Sequence, residues 1–156
     1  MIELYTDGAC SGNPGRGGCA CVLLYNGHRK ELRAGYKLTT NNRMEIMSVI
    51  IGLKEIKKPN LKVTVYSDSA YVVNTFNKGW LFEWEKKNFS GGKKNIDLWK
   101  ELLALYKTFK EVEFIWIKGH NGNVENERCD EIAVSMSKFP TLVDTGYVES
   151  IEKESK

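Results

Sequence analysis

Residues 39–66 decide the fold: Thr39-Thr40-Asn41-Asn42-Arg43-Met44-Glu45-Ile46-Met47-Ser48-Val49-Ile50-Ile51-Gly52-Leu53, then Pro59-Asn60, then Lys62-Val63-Thr64-Val65-Tyr66. The Thr and Asn side chains can cap a helix. The apolar residues at 46, 49, 50 and 53 then repeat with helical period. Pro59-Asn60 stops that helix, and 62–66 reads as a buried strand. Upstream, residues 2–7 alternate as a strand and 19–25 form a second. Asn26-Gly27 signals a hairpin into a third strand from about 29 to 38. An antiparallel meander therefore precedes a strand–helix–strand unit, whose right-handed crossover makes a parallel pair. Downstream, Asp68-Ser69 opens a short helix to about Phe76, and a helix follows at about 96–107. A strand at 112–117 and a helix at 125–137 complete the pattern. The expected fold class is α/β, a five-stranded mixed sheet flanked by helices.

A chain of 156 residues fits one compact domain. No stretch approaches the roughly 20 apolar residues of a membrane span, and the first residues lack a secretory pattern, so a cytoplasmic protein is expected. Residues 1–147 read as the domain and 148–156 as a charged tail that frays. Four cysteines, Cys10, Cys19, Cys21 and Cys129, show no disulfide framework. Zinc binding would need more ligands than His28 and His120 add, so free thiols are expected. The net charge of +3 is compatible with a nucleic-acid partner and too small to establish one.

Four acids stand where strands or helices meet loops or on helix faces: Asp7 and Asp68 after apolar strands, Glu45 in a first helix, Asp130 in the last. Neighbouring strands could bring Asp7 and Asp68 together. Carboxylates a few Å apart raise one another's pKa, and a hard divalent cation resolves that conflict. Two such ions can serve phosphodiester displacement. On spacing alone these acids read more readily as solvated surface charges.

The local sequences go further. Thr6-Asp7-Gly8-Ala9-Cys10-Ser11-Gly12-Asn13-Pro14-Gly15 resembles the opening signature of the type 1 ribonuclease H family, in its bacterial stand-alone form. Thr39 to Glu45 resembles the second signature and Ser67-Asp68-Ser69 the third. Lys118-Gly119-His120 with Glu125-Asn126-Glu127-Arg128-Cys129-Asp130-Glu131 resembles the fourth. The order and spacing match up to Tyr147. The resemblance implies an endonuclease that hydrolyses the RNA strand of RNA–DNA hybrids, leaving 5′-phosphate and 3′-hydroxyl ends. It implies that Asp7, Glu45, Asp68 and Asp130 hold two Mg²⁺ ions, with Mn²⁺ a possible substitute. His120 matches a mobile-loop histidine associated with proton transfer or product release, where the plain alternative is an exposed loop residue.

The Gly-rich stretch 12–18 lacks Gly-Lys-Ser/Thr and a following helix, which argues against a nucleotide-phosphate loop. The resemblance places Asn13, Asn41 and Asn42 on the RNA strand, where amides suit the 2′-hydroxyl. Helix capping is the alternative for Asn41 and Asn42. On the DNA strand it implies Thr40 and Asn95 at a phosphate, and Tyr71, Trp80 and Trp84 along a channel. Lysines interleaved with aromatics over 78–94 suit a sequence-tolerant backbone groove. Trp80 and Trp84 at helical spacing could instead be core, and Trp99 is assigned to the core. Two departures stand out. Ala70 replaces a glutamine that contacts RNA in close bacterial members, and the lysine-rich protrusion is short and diluted by Glu83 and Glu85. Weaker, more salt-sensitive hybrid binding is expected. No preceding hybrid-binding domain, no obligate protein partner and a monomer are expected. The competing readings are a non-catalytic hybrid-binding module and a strand-transfer domain of the same fold.

Overall fold

The computed structural model describes residues 1–154. Its sheet has the order β3-β2-β1-β4-β5. The strands are β1 (Ile2–Ser11), β2 (Gly15–Tyr25), β3 (His28–Thr39), β4 (Lys62–Ser67) and β5 (Glu111–Trp116). β1, β2 and β3 form the antiparallel meander through the Asn26-Gly27 turn, both of whose residues have positive φ. β4 pairs parallel to β1, and β5 parallel to β4. The mixed sheet expected from the helix at 41–55 is therefore present.

Strand alternation sends successive side chains to opposite faces. On one face Leu4, Cys21, Val63 and Val65 meet α1 (Asn41–Glu55), α2 (Ala70–Asn77) and α4 (Ile96–Thr108) in the main core, around the fully buried Trp99. On the other face Ala20 and Val22 pack under α5 (Val124–Lys138) with Cys129, Ile132 and Ala133. All four cysteines are free thiols; burial pushes Cys21 up to about 12 and raises Cys19 and Cys129 as well.

The glycines at 15–18 belong to β2, which resumes at Gly15 through a bulge, rather than to a loop. Their purpose is close packing. A Cβ on Gly18 would lie 2.1 Å from the Ala133 carbonyl oxygen of α5, and one on Gly17 would meet Thr39 and Met44 on the opposite face.

Two elements have no counterpart in the sequence reading. Trp80–Lys86 forms α3 after Gly79, a residue in the left-handed region, and buries Leu81 completely. Seven residues are too short to show a helical period against so many charges. Thr145–Glu154 forms α6, over a segment expected to fray. Its first turn is held by Asp144, whose carboxylate accepts from the Tyr147 N–H at 3.2 Å and whose carbonyl accepts from the Val148 N–H at 3.0 Å. The end of the expected tail, residues 155–156, lies outside the described residues.

Gly18→Ala drives a methyl into helix backbone, so it should cost about 1–3 kcal/mol. Urea unfolding at neutral pH measures this; an unchanged midpoint contradicts the close approach of α5.

Candidate active site

β1 and β4 run parallel, and their last paired residues are Thr6 and Ser67. The next residue on each is an acid, so Asp7 and Asp68 emerge side by side at the ends of the two central strands. α1 crosses this end with Glu45 in its second turn. The approach is close enough that a Cβ on Gly8 would sit 2.5 Å from the backbone of Met44 and Glu45. With no side chain there, the Gly8 N–H donates to Asp7 Oδ1 at 3.0 Å and to Glu45 Oε1 at 2.9 Å.

Carboxylate oxygens of Asp7, Glu45 and Asp68 lie within 4.8 Å of one another. Asp7 and Glu45 are buried, and Asp68 is half-buried. Asp130, in α5 on the other face of the sheet, is half-buried and stands outside that tight group. Its charge still reaches both Asp7 and Glu45. Burial first, and then the neighbouring carboxylates, hold Asp7 and Glu45 far above the usual carboxylate range. The Gly8 N–H pulls against that shift in both acids.

Among the described residues, the causes that shift Asp7 and Glu45 are burial, other carboxylates and the Gly8 N–H, with no cation among them. Arg43, two residues before Glu45, is turned away and 2% exposed. It pairs with Asp144 at 2.8 Å and with Asp97 at 2.7 Å, contacts that hold its guanidinium charged. An all-oxygen donor set with unbalanced negative charge is what a hard divalent cation requires, so the residues present fit one.

The wall beside Asp68 comes from β5 and α5. Gly119 leaves room for the Asp68 carboxylate, which a Cβ would approach to 2.7 Å. Asn126 Nδ2 donates to Asp68 Oδ2 at 3.4 Å, and Trp116 Nε1 to the Asp68 carbonyl at 3.2 Å. His120 follows Gly119 in the β5–α5 loop, exposed and with φ 55°, a conformation uncommon outside glycine.

Around the N-terminus of α1 the cap is Thr40, whose hydroxyl accepts from the Arg43 N–H at 3.3 Å. Asn13 Oδ1 accepts from the Asn41 N–H at 3.1 Å, which ties the β1–β2 turn to the helix. Asn41 and Asn42 are exposed on the first turn and do not cap. Asn95 Nδ2 and Trp99 Nε1 both donate to the Tyr71 hydroxyl, at 3.1 and 2.9 Å, so Tyr71 turns inward. Arg43 Nη1 donates to Asn95 Oδ1 at 3.4 Å, linking Asn95 to α1.

The two tryptophans divide. Trp80 is 41% exposed, with the Lys78 ammonium 5.5 Å from its ring centre. Trp84 packs edge-on against Trp99 at 6.1 Å and has the Lys93 ammonium over its ring at 5.6 Å. The diluting acids are paired, Glu83 with Lys86 and Glu85 with Lys107.

Sequence reasoning assigned no role to Arg43, Asp97, Asp144, Trp116 or Asn126. Asn126 had a signal, since it stands four residues before Asp130 and so shares a helix face with it. The partners of Arg43 had none, being 54 and 101 residues away.

The sequence profile of the RNase H family matches residues 1–138. The chain belongs to the RNase H family. A ribonuclease H of Desulforamulus reducens is 52% identical over 145 residues, covering 90% of each chain. A ribonuclease HI of Synechocystis sp. is 49% identical over 152 residues, covering 94% of each. Among solved structures, LC9-RNase H1, a type 1 RNase H with the type 2 active-site motif, is similar with a TM-score of 0.79 and 30% identity. That match covers 95% of this chain and 79% of the other. LC11-RNase H1, solved in complex with an RNA/DNA hybrid, shares the fold with a TM-score of 0.68 at 20% identity, covering 94% and 99%. In this RNase H the clustered acids therefore sit in a family of divalent-metal-dependent enzymes.

The raised acids set a pH dependence. The folded, metal-free RNase H retains protons that the unfolded chain releases near pH 4. Its stability therefore falls as pH rises above about 4, until the raised values are passed. In chelator, Asp7→Asn should melt several degrees above the parent at pH 8 and equal it near pH 4. A variant no more stable at pH 8 contradicts the buried, uncompensated cluster.

Proposed function

We propose that this chain hydrolyses the RNA strand of RNA–DNA hybrids, with Asp7, Glu45, Asp68 and Asp130 holding two Mg²⁺ ions at the scissile phosphate. The observation that carries this is the trio of acids within 4.8 Å, Asp7 and Glu45 buried and Asp68 half-buried, in a chain of the RNase H family. The bound metals would supply charge neutralisation, an activated water and stabilisation of the leaving oxygen, giving 5′-phosphate and 3′-hydroxyl ends. Mn²⁺ is a substitute of the same hard-oxygen preference.

The chain's own residues bind and orient. Gly8 fixes the facing oxygens of Asp7 and Glu45, while Asn126 and Trp116 fix Asp68. Asp130 comes from the opposite face of the sheet, its charge reaching Asp7 and Glu45, and would be the fourth carboxylate to hold the metal. His120 moves a proton or eases product departure from its exposed loop. Asn13, Asn41 and Asn42, the first two joined by a hydrogen bond at the start of α1, read the RNA strand's 2′-hydroxyls. Thr40 and Asn95 take a DNA phosphate, and Trp80 with Lys78 offers a flat, charged surface to the DNA backbone. Tyr71 and Trp84 support that surface from within. Ala70, exposed at the start of α2, offers no hydrogen bond to RNA.

None of the described helices is long and apolar enough to cross a membrane. A monomer acting in the cytoplasm without an obligate protein partner completes the proposal. Residues 1–147 are its catalytic unit, and the charged end from 148 is an appendage to it.

An end-labelled hybrid incubated with protein and Mg²⁺ tests the reading. Only the RNA strand should be cut, matched double-stranded RNA should survive, and chelator should stop the reaction. Asp7→Asn should slow it at least about 100-fold, since metal stabilisation contributes several kcal/mol and 1.36 kcal/mol is a factor of ten. A hybrid bound but left intact in both Mg²⁺ and Mn²⁺ overturns the enzyme reading in favour of a binding module.

His120→Ala should lower kcat by about 100-fold and leave Mg²⁺ affinity, followed by calorimetry, unchanged. Equal turnover in parent and variant reduces His120 to an exposed loop residue.

A further inference from the structure

Asp144 lies beyond residues 1–138, the part of the chain that the family profile matches, yet it is 4% exposed. Its Oδ2 accepts from Thr39 Oγ1 at 2.6 Å and from Arg43 Nε at 2.8 Å, and its Oδ1 accepts from Arg43 Nη2 at 2.9 Å. One carboxylate thus grips the residues on both sides of the segment that holds Thr40. Charge-assisted, two-pronged contacts of this kind fix a planar guanidinium in direction as well as position. The guanidinium passes that direction on. Nη1 donates to Asn95 Oδ1, and the main-chain N–H of the anchored Arg43 donates to the Thr40 hydroxyl. Asp97, at the start of α4, holds the outer edge of the same guanidinium at 2.7 and 2.9 Å.

α6 is built onto this grip. The Asp144 carboxylate accepts from the Tyr147 N–H, and a Cβ on Gly146 would fall 2.0 Å from Asp97 and 2.7 Å from Arg43. Between α6 and the pocket residues runs a cleft of about 770 Å³, lined by Thr40, Asn42, Asn95, Lys94, Ser150 and Lys153.

We propose that Asp144 is a positioning residue for the DNA-strand phosphate pocket, acting through Arg43 on Thr40 and Asn95. This rests on the assignment of that pocket to Thr40 and Asn95 made above. Asp144 touches neither phosphate nor metal. It makes the two pocket side chains converge, and it does so from a segment outside the family-matched region. Glu45 is held separately by Gly8, so the metal site should not sense its loss.

The test walks a single neutral methylphosphonate along the DNA strand of a short hybrid and measures KM and kcat for each substrate. The unmodified protein should show one position where the neutral linkage raises KM about tenfold, the weight of a charge-assisted contact. Thr40→Ala should abolish that position-specific penalty. Asp144→Asn should abolish it too, raise KM for the unmodified hybrid about tenfold, and leave kcat within about twofold and half-saturating Mg²⁺ unchanged. Circular dichroism fixes an assay temperature at which the variant is folded; simple loss of stability would not erase a penalty tied to one phosphate. If Asp144→Asn does not fold, Asp97→Asn, which loosens the same guanidinium from its exposed side, carries the test, and an undiminished penalty there overturns the proposal. A penalty lost in Thr40→Ala but kept in Asp144→Asn also overturns it while the pocket stands. A parent without any sensitive phosphate, or a Thr40→Ala protein that keeps one, refutes the pocket and this inference with it.

Discussion

The rest of the structure depends on the contact between the Gly8 amide and the carboxylates of Asp7 and Glu45. It exists because position 8 has no side chain, so α1 can lie against the end of β1 with backbone nearly touching backbone. That approach buries Glu45 in the second turn of α1 and sets where the helix begins, at Thr40. One N–H cannot balance two carboxylates beside a third, and Arg43, the nearest cation along the chain, is committed elsewhere. The fold thus holds these carboxyl groups together against the electrostatic cost of ionising them, and leaves the charge that would balance their ionised forms to come from outside.

A short piece of α1 concentrates several tasks on the proposed assignment. Thr40 faces the DNA strand, Asn41 and Asn42 the RNA strand, and Glu45 the metal, all within two helical turns. Helical geometry explains how six residues can address three partners, because successive side chains leave the axis about 100° apart. Orientation is then set from outside the helix: by Asn13 at its first N–H, by Gly8 at Glu45, and by Asp144 and Asp97 at Arg43.

How far the sequence could be read followed how local each cause was. The strands of the meander, the crossover helix and the paired exits of Asp7 and Asp68 all come from period and order, which are properties of neighbouring residues. The four signatures then identified the family. β2's early start escaped because its glycines look like a loop until the two helices that squeeze Gly17 and Gly18 are known. α3 escaped because one buried leucine in seven residues is no pattern. α6 escaped because its polar composition hides that its first turn is tethered by a buried aspartate. For the tryptophans, spacing could not show that Trp80 faces solvent while Trp84 leans on Trp99.

The pairing of Thr39 with Asp144 spans 105 positions and that of Arg43 with Asp144 spans 101. During synthesis the chain emerges N-terminus first, at about 5–20 residues per second. The sheet's first three strands, α1 and three of the acids are available long before Asp144 leaves the ribosome. For that interval Arg43 has no inner partner, and α6 has nothing to start on. A nascent chain can therefore assemble its charged centre while the neighbouring end of α1 is still unfastened. Residues 144–154 act as a clasp on that end of α1, closing only after they too have emerged.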